Sequence, residues 1–214
     1  MYGQPKIHKT GNPLREIVDA NGGVTRPTNG HISTIIKKYT EDNKYSIKNS
    51  KEFVDQLKDV KLKEGETLVS FDVVALYPSV PQDEALDIVF HKLKNDEELH
   101  KRTKLKPESI MRLFKLCVQN TYFSFNGRLY MQVNGLAMGA PTSGFTADIY
   151  MDALESRALS SFANPPEIWL RYVDDTIAQM MDEMILAFKA FKAHFNSLDL
   201  KEYKSLMRLW SITS

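Results

Sequence analysis

Apolar and polar residues along this chain follow two spacings, one typical of strands and one typical of helices. Residues 67–73 (TLVSFDV) form a short run of apolar and β-branched residues, which predicts a buried strand. Residues 168–172 and 176–180 have the same character and predict two strands joined at 173–175. Residues 122–133 predict a hairpin, because Asn126-Gly127 suits a type I′ turn between two aromatic strands.

Helical spacing of apolar residues is found in five segments: 50–60, 83–94, 107–118, 145–160 and a last one with Met184, Phe188, Phe191 and Phe195 on one face. We expect Ser50 to cap the first of these helices and Pro107 to begin the third. Residues 1–45 are rich in Gly, Pro, Asn and Thr and predict loops with short strands, without a packed helix. Strands joined by hairpins and mixed with helices favour an antiparallel α+β sheet with helices packed on one side.

Composition is that of an ordinary globular protein. The chain has 214 residues, 43% hydrophobic and 26% charged, which suffices for one sizeable domain or two small ones. No apolar run reaches the roughly 18 residues of a membrane helix, and no apolar signal core follows Met1. We therefore expect a nuclear or cytoplasmic protein that is not secreted. Cys117 is the only cysteine, which excludes an internal disulfide, and we expect it to pack as a small hydrophobic residue.

Charge is unevenly spread along the chain. The net charge is only +1, but residues 1–48 contain eight basic and four acidic residues, a local balance of +4. A basic arm on a neutral body suits contacts with phosphate groups. An equally simple interpretation is a solvated surface without a partner, and charge alone does not separate the two.

Three acids stand where a carboxylate is costly. Asp72 lies at the end of an apolar strand, and Asp174 and Asp175 occupy the tip of an apolar hairpin. If the two places meet, divalent cations would offset the repulsion, and Mg²⁺ prefers such oxygen ligands. Two ions about 4 Å apart can serve an in-line phosphoryl transfer. Considered alone, an Asp-Asp pair such as Asp174-Asp175 is more commonly a solvated turn. A single acid at the end of a strand, such as Asp72, is more commonly a cap of a helix or turn.

Three motifs resemble those of reverse transcriptases, in the same order along the chain. Residues 172–175 (YVDD) resemble the YxDD signature, and residues 71–81 (FDVVALYPSVP) resemble the first carboxylate motif. Residues 135–143 (GLAMGAPTS) resemble the glycine-rich loop between them. Three details are most similar to Penelope-like retroelements, which are relatives of telomerase: residues 2–9 (YGQPKIHK), residues 13–15 (PLR) and the MGAPTS form of the loop at residues 138–143. The match spans roughly residues 1–200.

The resemblance implies an α+β right-hand polymerase palm, with an antiparallel sheet and packed helices, plus partial fingers. Residues 1–66 would be the basic, partial fingers, residues 67–200 the palm, and residues 201–214 a divergent tail. We expect a chain truncated at both ends, because it opens inside the fingers motif and stops before a thumb.

The resemblance also assigns the chemistry. Asp72 and Asp174 would bind both metal ions, and the Val73 carbonyl would help to hold the ion on the triphosphate side. Asp175 would be a supporting acid near the primer end. Tyr77 would lie under the sugar and select deoxynucleotides by clashing with a 2′-hydroxyl. The cofactor implied is Mg²⁺, as two ions, with Mn²⁺ as a substitute.

Nucleotide and template contacts are implied for four further residues. Gly139 and Pro141 would let the backbone pass close to the template and the new base pair. Lys6 and Arg15 would reach the triphosphate or template phosphates, for which arginine is well suited.

Two neighbouring residues are weaker candidates for the site, and two other places depart from the family pattern. Lys9 is more typical of a surface lysine, and His8 is expected to belong to the fingers fold. Glu16 replaces the usual proline of the basic motif, and residues 21–23 (NGG) also differ. An acid at position 16 would weaken nucleotide binding if it faced the site.

The function expected is an RNA-directed DNA polymerase that uses an RNA template, a DNA primer and deoxynucleoside triphosphates. One alternative is a catalytically inactive, nucleic-acid-binding remnant of such an element. Another is an unrelated scaffold with an accidental Asp-Asp turn, which a separation of more than about 10 Å between Asp72 and Asp174 would favour.

Overall fold

The computed structural model describes residues 1–7, 10–12, 14–18, 23–161, 165–181 and 207–211. The chain forms two compact units: a first unit of residues 1–42 and 77–150, and a second unit of residues 43–76 and 151–214. The boundaries at 66 and 200 that the sequence predicts differ from these limits, and they remain predictions about polymerase subdomains.

Strands and helices alternate irregularly along the chain. In chain order the elements are β1 (Tyr2–Pro5), β2 (Leu14–Ile17), α1 (Arg26–Ile36), a 3₁₀ helix (Lys37–Thr40), α2 (Ser50–Leu57), β3 (Glu66–Val73), α3 (Leu76–Ser79), α4 (Gln82–Lys94), α5 (Leu99–Arg102), α6 (Pro107–Gln119), β4 (Tyr122–Phe125), β5 (Arg128–Met131), α7 (Ser143–Ser161), β6 (Ile168–Tyr172), β7 (Asp175–Met181) and β8 (Met207–Ser211).

The strands form three antiparallel sheets among the described residues. Strands β1 and β2 pair with each other, as do β4 and β5, and the order of the third sheet is β6-β7-β3-β8. The mixed α+β class with antiparallel pairing is therefore confirmed. Strand β8 lies in the segment for which the sequence predicted only a divergent tail, and it pairs with β3.

The prediction that residues 1–45 contain no packed helix is wrong. Helix α1 begins beside Pro27 and buries Ile32, Ile35 and Ile36, which lie one turn apart on one face. Gly30 and the polar residues around it lower the helix propensity of this segment. Burial of the isoleucine stripe outweighs that low propensity, at roughly 1.5 to 3 kcal/mol for each side chain.

The start of α2 also differs from the prediction. Asn49, not Ser50, caps this helix, since its side-chain oxygen accepts a 3.0 Å hydrogen bond from the Glu52 N–H. The helix ends at Leu57, so that Val60 lies beyond it, and Val54 is exposed. Either Asn or Ser can cap a helix, and sequence alone does not choose between neighbouring candidates.

Each unit has its own apolar core. In the first unit α6 contacts both α1 and α4, and Val89, Leu93, Ile110 and Phe114 are almost fully buried. In the second unit Phe71 and Trp169 pack with ring centroids 5.3 Å apart. None of the helices in the described part of the chain combines the length and apolarity needed to cross a bilayer. The predicted helix with Met184 on its apolar face lies outside the described residues.

Candidate active site

Strand pairing in the second unit brings the three acids together. Asp72 of β3 lies directly opposite Asp175 of β7. Residues paired in this way have Cβ atoms about 4.5 to 5.5 Å apart. The next residues continue the contact, because the Val73 N–H donates a 2.9 Å hydrogen bond to the Asp174 carbonyl. The prediction that residue 72 meets the 174–175 turn is confirmed, although the catalytic roles of these residues remain predictions.

The turn that carries Asp174 has a strained backbone. Tyr172 and Asp175 pair across it, leaving Val173 and Asp174 as its two central residues. Val173 has a φ of 58°, in the left-handed region that a β-branched residue seldom occupies. A positive φ at the first central position is the pattern of a type II′ turn, where glycine is usual. Such outliers persist only where the surroundings hold them, often at functional sites.

A buried ion pair lies behind this turn. Arg171 of β6 and Glu155 of α7 are 1% and 0% exposed. The Arg171 Nε donates to both Glu155 carboxylate oxygens at 2.9 Å, and the Trp169 Nε1 donates to one of them, also at 2.9 Å. The Arg171 Nη1 donates to the Val173 carbonyl at 3.3 Å. The ion pair thus connects helix α7 to the strained residue Val173.

Burial and ion pairing act in opposite directions on Glu155. Burial raises the pKa of its carboxyl, whereas the Arg171 guanidinium and the Trp169 N–H favour the charged form. A buried carboxylate with three N–H bonds from two residues is well satisfied, and removal of either partner of such a pair is strongly destabilising. This network was missed from the sequence. The signal was an arginine inside the apolar run of β6, because a buried charge needs a counter-ion.

The acids repel one another at the end of the sheet. Partial burial and then the charges of Asp174 and Asp72 raise the pKa of Asp175 above its usual value. A cation placed among the three carboxylates would offset that repulsion. Carboxylates and a backbone carbonyl are also the ligands that Mg²⁺ prefers.

No ready-made metal cage of three His, Cys, Asp or Glu side chains is found within the described residues. Mg²⁺ commonly binds through one or two carboxylates and keeps waters and substrate phosphates as its other ligands. The cluster of Asp72, Val73 and Asp174 therefore fits this ion as an open site. It does not resemble the closed site of a structural metal.

In the first unit, Tyr77 and the glycine-rich loop contact each other. The Leu136 N–H donates to the Tyr77 carbonyl at 2.7 Å, and the Gln82 side chain donates to the Gly135 carbonyl at 2.7 Å. Gly135 has a φ of 67°, and a Cβ there would overlap the backbone of Pro78. Gly135 is thus the glycine that this contact requires, whereas Gly139 is the one predicted from the sequence to allow a close approach of the backbone.

Residues 139–143 lead into helix α7. The Thr142 N–H donates a 3.0 Å hydrogen bond to the buried Asn29 side chain of α1, and α7 begins at the next residue. Gly139 and Pro141 are half-buried in this segment. The structure accordingly shows an anchored helix entry, and the predicted template contacts of both residues remain untested.

The two residues predicted to contact phosphates, Lys6 and Arg15, lie near the start of the chain. Arg15 of β2 is exposed and lies opposite Gln4 of β1, and Lys6 directly follows β1. Arg15 therefore lies on this two-stranded ribbon, and Lys6 lies just beyond the end of its first strand. Lys9 and His8 lie outside the described residues. Cys117 is buried in α6, as predicted.

Comparison with known proteins identifies the fold. No protein-family model and no curated protein matches the sequence. A structure of apo telomerase from Candida tropicalis, truncated from the C-terminal domain, matches 91% of this chain with a TM-score of 0.64 and 16% identity. The chain has a telomerase-like fold. Telomerase from Candida albicans in complex with a TWJ fragment of telomeric RNA matches 91% of the chain, with a TM-score of 0.65 and 13% identity.

This chain spans well under half of the telomerase chains that it resembles. It covers 41% of the truncated Candida tropicalis telomerase and 35% of the Candida albicans telomerase. At such low identity the likeness concerns the fold alone. Activity, substrates and partners must be argued from the residues of this chain.

Proposed function

We propose that this chain is the catalytic region of an RNA-directed DNA polymerase, which extends a primer by two-metal nucleotidyl transfer. The proposal rests on one observation. Asp72 and the Asp174-Asp175 turn meet at one end of an antiparallel sheet in a chain of telomerase-like fold. The finer assignment to Penelope-like elements rests on the motifs at residues 2–9 and 13–15 and on the MGAPTS form of the loop at residues 138–143.

The acids of the second unit would divide the work. Asp72 and Asp174 would hold two Mg²⁺ ions with help from the Val73 carbonyl, and Asp175 would support the primer end. When bound, the ions supply activation of the primer 3′-hydroxyl and charge stabilisation at the leaving pyrophosphate. The strained turn would keep the Asp174 carboxylate oriented, so that little reorganisation is needed during the reaction.

The substrates proposed are an RNA template, a DNA primer and deoxynucleoside triphosphates. An RNA partner is supported by the two Candida telomerase structures that contain a fragment of telomeric RNA. In this proposal Tyr77 discriminates against a 2′-hydroxyl, and Lys6 and Arg15 bind phosphates. Gly139 and Pro141 would line the path of the template.

A primer-extension assay on an RNA template tests the proposal. Addition of the first nucleotide should require Mg²⁺ and should fall at least about 100-fold in Asp174→Asn and in Asp72→Asn, because the ions contribute several kcal/mol at the transition state. Asp55→Asn, which removes an exposed acid of α2, is the matched control and should keep wild-type activity.

Two outcomes would contradict the proposal. Equal extension by the wild type and Asp174→Asn would remove the metal mechanism. Binding of the template and primer by the wild type without any extension would establish the alternative, an inactive nucleic-acid-binding remnant. Single-nucleotide addition is the appropriate measurement, because it does not require processive synthesis.

A further inference from the structure

The β4–β5 hairpin presents large apolar side chains to solvent. It forms a sheet of two strands, and six apolar side chains of the hairpin and its end are 42–80% exposed: Tyr122, Phe125, Leu129, Tyr130, Met131 and Val133. A two-stranded hairpin is marginally stable on its own in water. An apolar surface of this kind commonly marks a site of interaction.

The two faces of the hairpin differ in chemistry. Cross-strand pairing places Phe123 opposite Tyr130 and Phe125 opposite Arg128. Because side chains alternate along a strand, these four residues share one face, here called the aromatic face. The other face, here called the opposite face, consists of Tyr122, Ser124, Leu129 and Met131, of which one is aromatic.

The rings of the aromatic face are already arranged with respect to one another. Phe123 and Tyr130 are stacked, with centroids 5.6 Å apart and planes 16° apart. Phe125 lies 6.5 Å from Tyr130 in a tilted arrangement. Both of these rings are accessible to solvent, because Phe125 is 52% and Tyr130 42% exposed. The result is a small aromatic platform with an exposed arginine at its turn end.

The stretch of chain that forms and flanks this platform carries basic residues and no acidic ones. The sequence has no acidic residue between Glu108 and Asp148, whereas Arg112, Lys115 and Arg128 lie in that interval. Arg112 and Lys115 are exposed on α6, the helix that leads into the hairpin, and they line a cavity together with Asp83 and Asp87 of α4. Arg128 of the hairpin is therefore the basic residue on which the charge argument rests. An aromatic surface that ends in an exposed arginine is complementary to a polyanion that carries flat rings.

We propose that the aromatic face of the β4–β5 hairpin binds the unpaired RNA template by base stacking. The inference rests on the proposed function, since that function supplies an RNA template. Bases stack on Phe125 and Tyr130, and the Arg128 guanidinium contacts a phosphate or stacks on a base. Stacking of this kind tolerates any sequence, because every base has a π-face.

The test measures the binding of fluorescently labelled single-stranded RNA to the full chain by fluorescence anisotropy, in the absence of Mg²⁺ and nucleotides. Phe125→Ala and Tyr130→Ala should each weaken binding about ten-fold. Phe125→Leu and Tyr130→Leu should weaken it nearly as much, because they keep apolar area but remove the ring. Arg128→Gln should weaken binding and reduce the salt dependence by about one phosphate contact. Leu129→Ala on the opposite face is the matched control and should bind like the wild type.

Each other outcome overturns the proposal. Equal losses from substitutions on both faces would mean that the hairpin matters as a whole or docks a protein segment. Wild-type affinity in the leucine variants would replace stacking by general apolar contact. Equal affinity for double-stranded RNA would remove the assignment to unpaired bases, whereas single-stranded DNA should bind similarly because neither stacking nor the phosphate contact reads the 2′-hydroxyl. Circular dichroism establishes that each variant is folded. Because the assay needs no catalysis, its result is independent of whether Asp174→Asn abolishes extension.

Discussion

At the scale of single residues, Val173 is the position where local preference and tertiary structure disagree most. A valine in the left-handed region costs of order 1 to 3 kcal/mol. The Arg171 side chain bonds to the carbonyl of this residue, and both neighbouring strands fix the ends of the turn. The strain therefore accompanies a fixed orientation of the following carboxylate, that of Asp174.

Relief of the strain should stabilise the protein. We expect Val173→Gly to raise the free energy of unfolding by about 1 kcal/mol, because glycine adopts a positive φ without a steric penalty. Urea unfolding measures the change. Val133→Gly, at an exposed valine outside the left-handed region, is the control and should lower stability slightly. Equal losses in the two variants would show that Val173 is not strained.

The buried thiol of Cys117 should make the stability of the folded protein depend on pH. Burial raises the pKa of its thiol to about 11. The folded-state pKa then exceeds that of an unfolded thiol, about 8.5. The stabilisation is complete below the unfolded pKa and is lost as pH rises through the folded one.

Two measurements follow for Cys117. At pH 8 the native thiol should react with a thiol reagent far more slowly than in urea-unfolded protein. The stability of the wild type should decline from pH 8.5 to 11, and Cys117→Ala should show a smaller decline. A native thiol that reacts as fast as the unfolded one would contradict its burial.

At the scale of elements, the important contact is that between helix α7 and strand β6. Glu155 and Arg171 lie on these two elements, and Trp169 adds a further bond to the same carboxylate. An ion pair of this kind contributes less to stability than its removal suggests, because both charges were desolvated to form it. Its benefit here is geometric, since it links α7 to the turn before Asp174.

Single and double substitutions of the pair should differ sharply. Arg171→Met leaves the buried Glu155 carboxylate without its counter-ion and should cost about 3 to 5 kcal/mol of stability. The double variant Glu155→Leu, Arg171→Met should recover most of that loss, as apolar residues often replace such a pair. The double variant should nevertheless extend primers more slowly, by about ten-fold, because the Val173 carbonyl loses a charged donor.

Trp169→Phe is the control for this experiment, because it removes one bond to Glu155 and leaves the Arg171 contacts in place. It should lose about 1 kcal/mol of stability and little activity. A double variant as unstable as Arg171→Met, measured by urea unfolding, would contradict the proposed origin of the loss. Wild-type extension by a folded double variant would show that the Val173 contact does not serve the turn.

At the scale of the whole molecule, the fold and the proposed function rest on different observations. The telomerase-like fold follows from agreement over most of the chain, but a fold alone does not specify chemistry. The chemical argument depends on three carboxylates at one end of one sheet. Their mutual repulsion should make the stability of the protein responsive to divalent ions.

Mg²⁺ should stabilise the folded protein through these acids. At an ion concentration of ten times the Kd, binding adds about 1.4 kcal/mol, which corresponds to a rise in Tm of about 3 to 6 °C. The rise should disappear in Asp72→Asn and Asp174→Asn and should persist in Asp55→Asn. Thermal melts with Mg²⁺ and with a chelator measure it, and an equal rise in all four proteins would indicate non-specific ion binding.

The sequence predicted much of the fold because strong periodicity is a local property. Strands β3, β6 and β7, the type I′ position of the β4–β5 hairpin and helices α4, α6 and α7 all lie close to their predicted ranges. Helix α1 was missed, since its stability comes from isoleucines buried in the first unit and not from its own composition. The cap predicted for α2 was wrong because two adjacent residues, Asn49 and Ser50, were equally suitable from the sequence.

The amino-acid sequence by itself determined which acids carry the candidate chemistry and in what order the motifs follow one another. Tertiary structure alone decided that Asp72 lies opposite Asp175, that Arg171 finds Glu155, and that the backbone at position 173 is left-handed. Strand register and ion pairing depend on residues that are distant along the chain. Local spacing cannot encode such contacts, because they exist only once the sheet and helix have packed together.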